Sequence, residues 1–329
     1  MIDRRSMFAL LGGCSVITWP PAQQAARAQN PARIYRLGHL SQAPDSVQLT
    51  REFTLPELAK HGFVEGRNLR FLERTGPADA LPRLARELLT DKPDAIIAIG
   101  GAEVRAAREA TDTVPIVMFA ADPVGLGLTN SFARPDGNVT GIANMVSELA
   151  GKRLALLLEA APTAQRIAVL LKPTSPLVEQ EERELRAVTS AKAGVELLVH
   201  HAEGPSDYQN AFAAMRAGRA EALVIGNDPR FYADRALLAN LAAEAGLPTI
   251  CEWATMARAG CLLGYGANQA ALRHRMAFYV ASILRGATPA ELPFEQPTVF
   301  EFVVNLKTAK QVGLSIPPTI LLRADEVIE

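Results

Sequence analysis

The sequence predicts an α/β protein of two similar lobes, each built on a doubly wound parallel sheet. Three observations predict it. Short β-branched runs alternate with helix-period segments, the signature of parallel α/β architecture. The order of elements repeats: a strand at Ile34–Leu40 opens one half and a strand at Ile167–Leu171 opens another. The first-to-third strand offset is similar in both, 62 residues from Ile34 to Ile96 and 56 from Ile167 to Leu223. Finally, 329 residues exceed what a single hydrophobic core usually serves.

The first 28 residues belong to neither lobe. Arg4-Arg5 precede an apolar run from Met7 to Trp19, and Ala26-Arg27-Ala28 offers the small-x-small pattern of a signal-peptidase site. A membrane span needs about 20 apolar residues, whereas this run is shorter, interrupted by Gly12-Gly13 and closed by Pro20-Pro21. Leu11-Gly12-Gly13-Cys14 could be a lipobox, but the apolar stretch before it is short, and cleavage after Ala28 is the preferred reading. The paired arginines suit a twin-arginine signal or an ordinary positive n-region. The expected location is the periplasm. Cleavage would remove Arg4, Arg5, Arg27 and Asp3, taking 34 basic and 35 acidic residues to 31 and 34, a net charge near −3. Nothing in that balance suggests nucleic acid. Cys251 and Cys261 then remain, either paired in an oxidising compartment or buried as small apolar residues.

The elements follow in order. After the strand at 34–40 a helix is expected over 47–60, with Pro56 breaking or kinking it at a cost of about 3 kcal/mol. Leu69–Glu73 reads as a strand, and Leu81, Leu84, Ala85, Leu88 and Leu89 form a helical core stripe. Ala95–Ile99 is the next strand, Gly100-Gly101 opens a helix, and Ile116–Ala120 follows. In the second half the strands are Ile167–Leu171, Val195–His200, Ala222–Ile225 and Thr249–Cys251. Leu272, Met276, Tyr279, Val280 and Ile283 make a last apolar stripe, read as core.

In doubly wound sheets ligands sit beyond the carboxyl ends of the strands, so candidate site residues are sought there. Ser41 ends the first strand and could donate to a ligand carboxylate or serve its own loop. Gly100 and Gly101 could cradle an anion at a helix start, although strand-to-helix turns often need glycine for space. Asp122-Pro123 and Asp228-Pro229 read first as helix caps and second as ammonium acceptors. Lys172, Thr174, Ser175 and Asn227 offer polar contacts at second-lobe strand ends. Glu252 and Trp253 follow a strand, and the indole could stack on a ligand or plug the core. The histidines lack metal-ligand spacing, and His200-His201 point to opposite faces of a strand. There is no complete dinucleotide fingerprint, no Walker loop and no nucleophile elbow. No cofactor, metal or catalytic group is therefore expected, and the protein is not read as an enzyme.

Collinear motifs carry a resemblance. They include His61-Gly62-Phe63-Val64-Glu65-Gly66-Arg67-Asn68, Asp122-Pro123-Val124-Gly125, Arg134-Pro135-Asp136-Gly137-Asn138-Val139-Thr140-Gly141 and Gly151-Lys152-Arg153-Leu154. Further on stand Asn305-Leu306-Lys307-Thr308-Ala309-Lys310, Ile316-Pro317-Pro318 and Arg323-Ala324-Asp325-Glu326-Val327-Ile328. From Ile34 onward the chain resembles the ABC transporter substrate-binding family that includes tryptophan and tyrosine binders. The resemblance implies a periplasmic-binding fold of type I, with two lobes joined by three crossings near 141–147, 251–265 and 294–302. Tyr265, in Gly264-Tyr265-Gly266, would mark the second crossing. The lobes implied are 31–143 with a return segment about 256–293, and 148–252 with the C-terminal segment about 300–329. Two departures stand out. Asp136 replaces a usual turn glycine, which aspartate tolerates, and His39 ends the first strand where an apolar residue is commoner, suggesting a different ligand contact. The function implied is solute capture for an ABC importer, a monomer binding an amino acid or related carboxylate between its lobes and serving a membrane permease and its ATPase. A receptor serving a membrane kinase and an exported α/β enzyme are the alternatives.

Overall fold

The computed structural model describes residues 33–120, 123–144, 146–175 and 177–329. The leader, with Cys14 and the Ala28 cleavage site, lies outside the described residues, and so does Asp122.

The first lobe runs β1 (Tyr35–Ser41), α1 (Pro44–Leu49), α2 (Leu55–Lys60), β2 (Leu69–Thr75), α3 (Leu81–Thr90), β3 (Ala95–Ile99), α4 (Gly101–Ala110), β4 (Ile116–Ala120) and β5 (Val139–Ala143). Its five strands are all parallel in the order β2-β1-β3-β4-β5. Both faces are covered, as an all-parallel sheet requires. Ile96, Ala98 and Met118 pack against Leu84, Leu88, Val104 and Ala107 on one side.

The second lobe begins with α5 (Val146–Ala160), β6 (Arg166–Leu171), α6 (Val178–Ala191), β7 (Glu196–His201), α7 (Pro205–Ala217) and β8 (Ala222–Ile225). It continues through α8 (Pro229–Ala233), α9 (Arg235–Glu244), β9 (Thr249–Cys251), α10 (Ala254–Arg258) and β10 (Leu263–Ala267). The chain then returns to the first lobe as α11 (Gln269–Leu284), whose Met276, Tyr279 and Val280 join Leu37, Leu58, Ile97 and Val117 in the core. It crosses once more to β11 (Phe300–Asn305), α12 (Leu306–Gln311), α13 (Pro318–Leu321) and β12 (Glu326–Ile328). The second sheet reads β7-β6-β8-β9-β10, the first lobe's order again, extended by β11 and β12. β11 runs antiparallel to β10, so this sheet is mixed rather than wholly parallel.

The eight strands expected from sequence all form, with ends shifted by at most two residues. Two expectations are corrected. Leu263–Ala267 pairs with β9 and β11, so the second crossing lies at Ala267–Gln269 rather than 251–265, and the segment returning to the first lobe starts near 268 rather than 256. Tyr265 accordingly sits inside the second sheet, stacked on Phe300 at 6.2 Å between ring centroids. The second correction concerns Pro56. The helix neither ends nor breaks there; a π-helical turn, Thr50–Thr54, joins α1 to α2, and the Leu55 N–H donates to the Thr50 carbonyl. The wider turn places Pro56 in the first turn of α2, where its missing N–H costs least.

The first and third crossings run side by side. Ala143 N donates to the Glu295 carbonyl at 2.8 Å, and Glu295 N donates to the Gly141 carbonyl at 3.0 Å. Gly141 has φ +135°, and a Cβ there would stand 2.3 Å from the Met118 carbonyl oxygen. Both the left-handed backbone and the strand behind it demand glycine. Gly141→Ala should therefore lower stability by about 2–4 kcal/mol, checked by thermal unfolding; a change within about 0.5 kcal/mol would contradict this account.

Candidate ligand-binding cleft

In each sheet the strand order reverses at one point, between β1 and β3 in the first lobe and between β6 and β8 in the second. Helices leave opposite faces there, so the loops part and open a crevice. The two crevices face each other across a cavity of about 300 Å³. Ser41, Gly100 and Gly101 line it from the first lobe, and Lys172, Thr174, Ser175, Asn227, Asp228, Glu252 and Trp253 from the second. Strand-end reasoning thus brings ten of its twelve candidates to one place. His39 is not among the lining residues.

Several of the ten are already engaged. Ser41 Oγ donates to the Ala43 carbonyl and accepts from Ala43 N, both at 3.1 Å, so its hydroxyl shapes its own turn. Asp228 caps α8, accepting from Arg230 N at 2.7 Å, and stands 3.5 Å from Lys172 Nζ. Burial pushes the Asp228 carboxyl up, with Lys172 opposing. Thr174 Oγ1 donates to Glu203 at 2.8 Å, on the exposed side.

The anion cradle expected at Gly100-Gly101 is filled from within the protein. Glu103, in the first turn of α4, folds its carboxylate back over the helix start, where Oε1 accepts from Gln42 N and Gln42 Nε2, each at 3.1 Å. Gly100 has φ +111°, a backbone conformation that favours glycine, and Glu103 Oε2 packs where its Cβ would stand. That Oε2 is buried and has no hydrogen-bond partner among the described residues. Burial pushes the Glu103 carboxyl up to about 7.

His39 is a correction to the expected ligand contact. It is fully buried below the cavity floor, with Nε2 3.1 Å from Thr50 Oγ1. Burial first, then the charges of Arg273 and Arg51, pushes it down to about 3, so the ring is neutral at physiological pH.

Beneath the second-lobe strand ends lies a buried polar string. Asn227 N donates to both oxygens of Glu181 at 3.1 Å, and the Arg153 guanidinium stands 3.8 Å from the same carboxylate. Asn227 Nδ2 donates to Glu252, and Asn144 Nδ2, on the first crossing, donates to Glu252 Oε1 at 3.3 Å. Burial pushes the Glu252 carboxyl up to about 8. Cys251, just before it, is disulfide-bonded to Cys261, two residues ahead of β10, resolving the open choice in favour of pairing. Trp253 tilts against Phe119 of β4 at 6.3 Å between ring centroids, so an aromatic wall spans both lobes. At the rim Arg235 donates to Asp45 at 2.6 Å, joining α9 to the start of α1.

Sequence reasoning missed Gln42, Glu103, Asn144 and Arg273. Glu103 sits at the third helical position after two glycines, the place for an acidic cap, and could have been found by that signal. Arg273 hides inside an apolar stripe.

Comparison with known proteins decides the family. The family model described as ABC transporter substrate binding protein matches residues 44–328. The chain belongs to that family. It is a family of substrate-binding proteins, not of enzymes. The chain is similar to a tyrosine-binding protein of Clostridioides difficile, 23% identical over 311 residues, covering 93% of this chain and 89% of the relative. Among solved structures it resembles a conserved domain protein from Vibrio cholerae, with TM-score 0.83 and 25% identity over 90% of this chain and all of that one. It also resembles an ABC domain from Streptococcus pneumoniae in complex with L-Trp, with TM-score 0.81 and 20% identity at the same coverage.

In this substrate-binding protein, raised carboxyls make stability depend on pH in a definite sense. A carboxyl whose folded value lies above its ordinary one binds more protons folded than unfolded, so stability falls as pH rises between the two. For Glu103 and Glu252 that fall runs from about 4.5 to about 7 and about 8. His39 works oppositely, costing stability as pH drops below 6.5. The window from pH 6.5 to 8 isolates the carboxyls. There the unliganded protein should lose thermal stability with rising pH, and Glu252→Gln should flatten the slope; parallel curves for the two proteins would refute this.

Proposed function

We propose that this substrate-binding protein is the exported, solute-capturing component of an ABC importer, and that it takes an amino acid or related small carboxylate in the inter-lobe cleft. One observation carries the reading: the cavity lies at both topological switch points and is lined by charged and aromatic groups of both lobes. A ligand closes the lobes only through contacts that are better in the closed state. Glu103 on the first lobe and Asp228 on the second offer acceptors to one ammonium group from opposite sides. Phe119 and Trp253 offer the apolar wall for a side chain. The names of two similar proteins, tyrosine-binding and L-Trp-bound, fit a ligand of this class.

The rest of the reading follows from that role. The partners are a membrane permease and its ATPase, and the receptor acts as a monomer. Its compartment is the periplasm, for which the leader and the Cys251–Cys261 disulfide both argue. Among the described residues no helix is long and apolar enough to cross a membrane.

The mature protein should be heated in the presence of each of the common amino acids and of small carboxylates. A true ligand at a hundred times its Kd stabilises by about 2.7 kcal/mol. Asp228→Asn, which keeps a helix-capping side chain, should weaken such a ligand about tenfold by calorimetry, and Glu103→Gln likewise. No stabilisation from any member of the panel would overturn the amino-acid reading. Turnover of a bound compound would overturn the receptor reading itself.

A further inference from the structure

One buried group in the cleft has no counterpart. Arg273, in the second turn of α11, is only 4% exposed and its side chain lines the cavity. Its guanidinium makes a single hydrogen bond among the described residues, from NH1 to Thr50 Oγ1 at 3.1 Å. No carboxylate lies within ion-pair distance of it among those residues. Its neighbour across the cleft is Tyr232 of α8, a phenol rather than an acid. Guanidinium stays charged at physiological pH; burial brings it down only to about 10.

An ion taken from water without a partner costs several kcal/mol even after relaxation, and a guanidinium has five donors to satisfy. Among the described residues the other charged and helix-start features of the cavity suited to an anion are engaged, and the buried Ser46 hydroxyl stands beside Arg273 as a further unengaged donor. The α4 helix start holds the Glu103 carboxylate. Lys172 is committed to Asp228, and the Ser41 hydroxyl closes its own turn. Among the described residues the fold thus keeps a buried guanidinium at the wall of the cleft with a hydroxyl but no carboxylate to answer it.

We propose that Arg273 is the anion receptor of the cleft and that the ligand must carry a carboxylate, held by the guanidinium fork. This rests on the reading of the cleft as the ligand site and adds which residue reads which group. The fork matches a planar carboxylate through two parallel hydrogen bonds. A phosphate is disfavoured because its second charge would face Glu103 and Asp228 in the same small space, where the other lining cation among the described residues, Lys172, is paired with Asp228. Thr50 fixes one edge of the guanidinium, and the π-helical turn that Pro56 follows is what carries Thr50 to that position.

The test uses pairs of compounds that differ only in that group: L-tyrosine with L-tyrosinamide, L-tryptophan with L-tryptophanamide, and 3-phenylpropionate with its amide. Calorimetry on the mature protein should show the acid of a pair binding and its amide weaker by on the order of 100-fold. Arg273→Gln should remove that preference, and Arg273→Lys, which keeps the charge without the fork, should recover only part of it. Without any ligand, Arg273→Gln should melt at or above the wild-type temperature, because it removes an unanswered buried charge. Equal affinity for acid and amide in the wild type would overturn the proposal. So would an unliganded Arg273→Gln that melts well below wild type, since that is the mark of a structural arginine. If no compound of these pairs binds but another member of the amino-acid panel does, the acid–amide comparison is made on that ligand; if nothing in the panel binds, the amino-acid reading fails, and the melting comparison alone then decides for or against Arg273 as a group kept for an anion.

Discussion

The arrangement of the two lobes rests on the buried carboxyl of Glu252. It accepts from Asn144, the residue that leaves β5 for the second lobe, and from Asn227, two residues past β8. Its own backbone is pressed from the other side: a Cβ at Gly266, on the strand that leads into the second crossing, would stand 2.1 Å from the Glu252 carbonyl oxygen. The disulfide immediately before it ties β9 to the approach of β10. One side chain therefore gathers the first crossing, a ligand-facing strand end and the run-up to the second crossing. Such a group would be expensive as a buried anion beside Glu181. Burial resolves this by raising its proton affinity, so that near neutral pH it is largely a neutral acid that can also donate.

The cleft's charges are unevenly resolved. On the second lobe Lys172 and Asp228 answer each other, and Asn227 is held by Glu181. On the first lobe Glu103 keeps one oxygen without a partner, and Arg273 has only a hydroxyl. Unmade bonds to buried polar groups cost more than made bonds gain. A ligand carrying one group of each sign therefore has most to offer the first lobe. The second lobe contributes a surface whose charges, Lys172 and Asp228, are paired before binding. Across the rim, Arg235 and Asp45 form a part-exposed pair, of the kind worth about 0–1 kcal/mol. So weak a clasp can favour closure without holding it.

Much of this architecture was legible because parallel sheets buried on both faces write themselves as short apolar runs, and the first four strands of each lobe were read from them, β2 and β7 at the sheet edges included. The four strands that escaped are those whose composition carries another message. Val139–Ala143 contains Gly141 and Leu263–Ala267 contains Gly264 and Gly266. Glycine reads as a turn, yet here it answers close backbone approach, at the Met118, Trp253 and Glu252 carbonyls. Phe300–Asn305 and Glu326–Ile328 extend the second sheet outside the repeat, so periodicity between the halves gave no hint of them. In the cleft, strand ends were predictable because topology dictates where they point. Gln42 and Asn144 lie one residue past strands that otherwise read correctly or not at all. Arg273 was hidden by its neighbours: Leu272 and Met276 mark a core stripe, and a charged residue beside them reads as the solvent side. That inference holds only for a helix with a solvent side, whereas α11 has buried residues around most of its circumference.

His39 shows how a residue outside the cleft can still bear on what enters it. A cation there would stand near Arg273 and Arg51, and their charge combines with burial to keep the ring neutral. A neutral imidazole at hydrogen-bond distance from Thr50 Oγ1 can donate to it or accept from it. Thr50 in turn donates to the Ser46 carbonyl at 3.0 Å and accepts from Arg273. If the hydroxyl proton goes to Ser46, the imidazole must present its Nε2–H, leaving Nδ1 as the buried atom without a partner. An apolar residue at position 39 of β1 would leave Thr50 held by Ser46 and Arg273 alone, and so would loosen the guanidinium's one fixed edge. Through Thr50, the residue at position 39 thus bears on how the guanidinium of Arg273 is held, two hydrogen bonds away, although it does not line the cavity itself.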